Sequence, residues 1–210
     1  MKQFLVVILL LQSLYGLSQQ MLHQDSLRKV YLSKLKVLSN QFSTAYYPNR
    51  PQIYSLDEKA FLNKIQSLKA PIESEVNAYK KQYGHIDAKF IADEQRDIEY
   101  FFDRIIQDYP YFHENHTGKK VKLSTSVQLK LDKHLSDFNN PALLSSTDVK
   151  GFIEGFMRHR SSEELKKMQY KQSDNKRLDA YLNLIPKYFT NQTCKEYWQY
   201  HYLYAHLADW

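Results

Sequence analysis

The sequence predicts an all-α fold, an irregular bundle of about seven or eight helices after a cleaved signal peptide, from the period of its apolar residues. These recur at three- and four-residue steps, as a helix requires, and do not alternate as a half-buried strand would. Only five glycines occur in 210 residues and two of them sit inside a helical pattern, so hairpins and glycine-rich phosphate loops are poorly supplied. Ser/Thr-x-x-Glu capping patterns recur along the chain.

Residues 1–18 read as an export signal. Lys2 provides the positive end, Phe4 to Leu11 an apolar run too short to span a membrane, and Gly16-Leu17-Ser18 the small residues that a signal peptidase reads. Cleavage is expected before Gln19, leaving 19–210 as a helical domain in the periplasm or outside the cell. No cysteine lies near the cleavage point to accept a lipid, so no stable membrane anchor is expected after cleavage.

A first helix is expected from Leu22 to Phe42 on Leu27, Tyr31, Leu35 and Leu38, broken by Tyr46-Tyr47-Pro48-Asn49-Arg50-Pro51. Ser55-x-x-Glu58 reads as a capping box opening a second, which Pro71 should divide and Gly84 should cap. The third, Asp87 to Gln107, carries Ile91, Ile98, Phe101, Phe102 and Ile105 on one stripe. Tyr109 to Leu123 reads as the longest irregular segment, where any hairpin or subdivision would fall. Ser124 should open a fourth helix on Val127, Leu131, Leu135 and Phe138, stopped by Asn139-Asn140-Pro141. Val149, Phe152, Ile153, Phe156 and Met157 complete the i, i+3, i+4, i+7, i+8 template, with Ser146 or Thr147 as cap. Ser161-x-x-Glu164 and Thr193-x-x-Glu196 read as two more capping boxes, flanking an apolar segment from Leu178 to Ile185 that ends near Pro186.

The 29 Lys and Arg outnumber the 23 Asp and Glu, but they are scattered among acids without regular aromatic interleaving, so no nucleic-acid partner is expected. Cys194 is the only cysteine, which rules out an intramolecular disulfide. About 190 mature residues can bury enough surface to fold without a staple. The sequons at Asn115 and Asn191 read as chance matches.

No residue is assigned a catalytic, cofactor-binding or metal-ligating role. His113 and His116 are three apart in an expected loop, not four apart on a helix as a zinc-binding pair requires. His201 and His206, five apart, should point about 140° away from each other on a helix. Cys194 falls at a helix start, where free amides can lower a thiol pKa, but has no histidine near it in sequence. The rings from Tyr197 to Tyr204 lie on nearly every side of the final helix, which predicts a helix buried all round, or alternatively a stacking platform for a flat ligand. The chain stops at Asp209-Trp210 without cap or polar tail, as though something follows. Gly151-x-x-x-Gly155 predicts close helix packing, and Lys150, Glu154 and Arg158 exclude a membrane dimer face. The pairs Glu73/Glu75 and Glu163/Glu164 read as exposed charges.

The helix Glu94-Gln95-Arg96-Asp97-Ile98-Glu99-Tyr100-Phe101-Phe102, the Tyr109-Pro110 after it, the Gly118 to Ser124 loop and Leu143-Leu144-Ser145-Ser146 together resemble a helical region of exported bacterial proteins that precedes a TlpA-like thioredoxin domain. The resemblance covers residues 90 to 160. It implies thiol-disulfide exchange by a Cys-x-x-Cys pair, which this chain lacks, and a βα fold that it also lacks, so no catalytic residue carries over. The expectation is therefore a non-catalytic, exported accessory or interaction module of a thioredoxin-like envelope protein, with a thioredoxin-fold domain or client protein as partner and no cofactor. The alternatives are a free-standing binding protein for a small ligand or glycan using the aromatic last helix, and, behind it, a hydrolase or metalloenzyme.

Overall fold

The computed structural model describes residues 2–167 and 175–208, and the fold is all-α. Among the described residues there are eight α-helices of eight residues or more, a five-residue helix, two 3₁₀ segments and no strand. In chain order these are α1 (Lys2–Tyr46), α2 (Arg50–Tyr54), α3 (Glu58–Tyr83), α4 (Ala88–Gln107), α5 (Tyr109–Thr117), α6 (Thr125–Asp132), the 3₁₀ segments Lys133–Asn139 and Pro141–Ser145, α7 (Thr147–Lys167), α8 (Lys176–Tyr188) and α9 (Gln192–Ala208). They form two compact units, residues 1–50 with 66–95 and residues 51–65 with 96–210, so α3 and α4 contribute to both.

In the first unit, α1, the later part of α3 and the start of α4 pack around Tyr31, Phe42, Tyr46, Val76, Tyr79 and Ile91. The ring centroids of Tyr31 and Tyr79 are 4.5 Å apart. One buried carboxylate organises this unit. Asp87 accepts from Arg28 Nε at 2.8 Å and from the Tyr79 hydroxyl at 2.9 Å, and a second Arg28 nitrogen binds its other oxygen. Arg28 also lies over the Phe90 ring at 4.9 Å. A fork of this kind fixes orientation as well as charge, and Arg28 first of all holds the Asp87 carboxyl below the usual range.

The second unit holds the larger core, built on Tyr100, Phe138, Phe152, Ile153, Met157, Leu184, Ile185, Phe189 and Trp198. The α7 template is borne out in full, with Val149, Phe152, Ile153, Phe156 and Met157 all buried. Ser146 is the cap, accepting from Val149 N at 3.2 Å.

Several local readings need correction. Residues 109–123 are not irregular throughout: Pro110 sits in the first turn of α5, where its missing N–H is no loss. Gly118 ends α5 at φ 72°, donating to Glu114 O, a left-handed cap that glycine takes without strain. Pro71 does not divide the second helix; it lies exposed inside α3, where water can answer an acceptor that a proline leaves. The capping boxes are not caps. Asp57 caps α3, accepting from Ala60 N at 2.9 Å, while Ser55 donates back to Pro51 O and Glu58 accepts from Ser124 N. Asn191 caps α9 through Cys194 N, and Ser161 lies buried within α7, donating to Arg158 O. The expected fourth helix tightens to 3₁₀ after Asp132.

Gly151 and Gly155 do permit close approach. A Cβ on Gly151 would lie 2.4 Å from Arg104 Nη1 and one on Gly155 2.5 Å from Gln107 Nε2, so the ends of two α4 side chains lie over the glycine face of α7. Arg104 is exposed and can swing aside, whereas Gln107 donates to Phe152 O at 3.3 Å. Alanine in a helix interior gains up to about 1 kcal/mol over glycine. Gly151→Ala is therefore expected to stabilise the protein by roughly 0.5 kcal/mol or more, and Gly155→Ala to gain less or to destabilise. Urea unfolding of the two variants checks the order.

Candidate functional site

In the second unit α8 packs against both α7 and α9, and the three helices border a partly open cavity of about 320 Å³. Its wall includes Glu154 and Arg158 from α7, Asn175, Arg177 and Tyr181 at the start of α8, and His201, Tyr202 and His206 from α9. Asn175 has two tasks. Its Oδ1 caps α8 by accepting from Leu178 N at 3.1 Å, which identifies Nδ2 as the amide nitrogen lying 2.6 to 2.7 Å from the ring nitrogens of His206. His201 Nε2 is 3.4 Å from Glu154 Oε1. The Tyr181 and Tyr202 rings stack at 4.1 Å and 7°.

The Tyr202 hydroxyl is buried without a hydrogen-bond partner among the described residues, as is Trp198 Nε1. Burial first, and then Tyr181 and Glu154, push the Tyr202 phenol far above its ordinary pKa, so it stays a neutral donor. A buried donor left unmet costs about 1 to 3 kcal/mol.

The sequence placed His201 and His206 on divergent faces, yet both line this one cavity, held by different partners. His113 and His116 do not meet at a site. His113 is buried on α5 with Nδ1 2.8 Å from Tyr54 O, and His116 is exposed.

Cys194 is fully buried in the first turn of α9, and burial pushes its thiol up, the reverse of what a nucleophile needs. The last helix is not buried all round. Cys194, Trp198 and Tyr202 face the core, whereas Tyr200, Leu203, Tyr204 and Leu207 face solvent. Tyr200 and Tyr204 stack on each other at 5.9 Å and line none of the cavities described.

One trio of metal-type ligands converges among the described residues without being evident from the sequence: atoms of Glu99, Asp103 and His134 lie within 4.8 Å of one another. Its geometry favours a structural network. Asp103 is fully buried; Oδ1 accepts from Lys130 Nζ at 2.7 Å and Oδ2 lies 2.9 Å from His134 Nε2, so an ammonium already stands where a metal cation would. The Tyr100 and His134 rings meet at 4.1 Å with a 38° tilt, and Tyr100 donates to Asp137 at 2.6 Å. The signal was present as two pairs at i, i+4, Glu99/Asp103 and Lys130/His134, whose convergence only the fold reveals. Farther along, Asp108 Oδ1 lies 3.0 Å from Arg158 Nη2 and 2.9 Å from His159 Nε2.

No family model, curated protein or solved structure matches this chain. Among the described residues no helix is long and apolar enough to cross a membrane.

Burial alone would raise the Asp103 pKa, but hydrogen bonds from His134 and Lys130 outweigh it and leave it lowered. Its contribution to stability is therefore present above the unfolded carboxylate value, about 3.9, and is lost as pH falls through the lower folded value. Asp103→Asn is expected to cost about 3 kcal/mol at pH 7, with the gap to wild type narrowing below about pH 4. Denaturant titrations across that range check both; a gap independent of pH would assign the loss to packing alone.

Proposed function

We propose that this chain is a non-catalytic, exported helical interaction module that works beside a thioredoxin-fold domain or its client protein in the bacterial envelope. The observation that carries the reading is the outer face of α9. Tyr200, Leu203, Tyr204 and Leu207 stand at i, i+3, i+4 and i+7, the spacing by which a helix presents an apolar stripe to a partner. Tyr200 and Leu207 are 68% and 69% exposed, on a helix whose opposite face is already sealed into the core. Large apolar residues grouped in this way on a surface mark interaction sites more often than they occur by accident.

Cys194 supports the same reading from another side. A lone thiol, buried and with a raised pKa, is poorly suited to disulfide exchange, so in this reading the redox chemistry belongs to the partner. Residues 1–18 supply the address, and the sequence pattern over 90 to 160 supplies the kind of partner. The stacking-platform alternative has less support, since the exposed tyrosines stack on each other.

The test is calorimetric titration of the chain with a TlpA-type thioredoxin domain. Saturable binding is expected, weakened at least about tenfold by Leu203→Ser with Leu207→Ser. Both positions are exposed, so unfolding stability should move by no more than about 0.5 kcal/mol. No saturable complex, or equal binding by the double variant, would sink the reading. Export is tested separately: expressed in a bacterial host, the protein is expected in the periplasmic fraction with Gln19 as its first residue, and recovery in the cytosol beginning at Met1 would refute it.

A further inference from the structure

We propose that the cavity among α7, α8 and α9 binds a small organic anion, a carboxylate or phosphate monoester carried on a flat apolar body. This is independent of the α9 outer stripe, because the cavity is lined from the other side of that helix by His201, Tyr202 and His206.

Four observations converge. The volume, about 320 Å³, lies at the lower end of what small-molecule sites occupy. The lining is apolar on one part, with Leu178, Ala205 and the stacked Tyr181 and Tyr202, and cationic on another, with Arg158 and Arg177. Guanidinium groups match carboxylate and phosphate oxygens with paired donors. Among the described residues, Arg158 is shared with Asp108, Arg177 has no ion-pair partner, and the one carboxylate in the lining, Glu154, is beside His201.

The third observation is the start of α8. Asn175, Arg177 and Leu178 bring the first turn of a thirteen-residue helix to the cavity wall, and the positive end of its dipole favours an anion there, against the acidic Asp179 in the same turn. The fourth is Tyr202, more than nine-tenths buried, whose hydroxyl has no acceptor among the described residues. Arg158 acts electrostatically on this phenol, and a donor without a partner in the wall of a cavity that also carries Arg177 is the complement of an anionic oxygen. The flat body of the ligand then lies against the tyrosine side of the cavity, where aromatic faces and apolar carbons hold it without polar demand.

The experiment titrates the full chain calorimetrically with phenyl phosphate, benzoate and phenol. The first two separate a phosphate ligand from a carboxylate one, and phenol keeps the ring while lacking the charge. At least one anion is expected to saturate at concentrations below about 10 mM, with phenol at least about tenfold weaker. Arg177→Gln, at an exposed position that the core does not use, is expected to weaken the anion at least about tenfold. Tyr202→Phe removes a buried donor that has no partner among the described residues, so the thermal midpoint of the free protein is expected to hold or rise while the anion binds about threefold or more weakly. Absence of saturation by both anions, phenol binding as tightly as either, or wild-type affinity in either variant would overturn the proposal.

Discussion

A carboxylate taken out of water must meet donors on its oxygens, and residues 87–108 carry three under cover: Asp87, Asp103 and Asp108. Each is answered by two side chains from other elements: Asp87 by Arg28 and Tyr79, Asp103 by Lys130 and His134, Asp108 by Arg158 and His159. Apolar burial supplies most of the driving force, but it is non-directional and tolerates a helix sliding against its neighbour. A fork of hydrogen bonds to one carboxylate does not. In each unit these clamps settle which turn of one helix meets which turn of another, and truncating either side leaves a charge without its counterpart.

What could be read in the sequence follows from this division. α4 and α7 were legible because their apolar residues obey a period, and period is local information. The clamps were not, because Asp103 looks like any charge on an amphipathic helix until the fold brings Lys130 and His134 onto it. Pro110 and Gly118 suggest a loop by residue type, yet they are the first-turn proline and terminal glycine of α5, since the same two residues punctuate both structures. The Ser-x-x-Glu and Thr-x-x-Glu patterns misled because they fix only two positions, and asparagine or aspartate nearby took the capping role at α3 and α9. The cavity wall of Arg158, Arg177, His201 and His206 is assembled from three helices and has no sequence signature at all.

α9 brings both halves of this reasoning into one helix. Its rings lie all round, and a helical wheel cannot say which side of such a helix is inside. The core chose Cys194, Trp198 and Tyr202, leaving the i, i+3, i+4, i+7 set outside. The inner set serves packing and the cavity; the outer set serves neither. One sequence segment thus carries two apolar faces under different physical constraints, and substitutions on one need not disturb the other.

Trp198 has an optical consequence. Its indole sits fully buried against Phe189 and Tyr202, both at 5.9 Å, with Nε1 donating to nothing among the described residues. An excited indole shifts its emission to the red when water dipoles relax around it, and full burial keeps this ring out of bulk solvent. The chain has only one other tryptophan, Trp210, which lies outside the described residues. The second unit therefore carries a built-in fluorophore at the centre of its core, emitting toward the blue while the helices are closed and moving red when solvent enters.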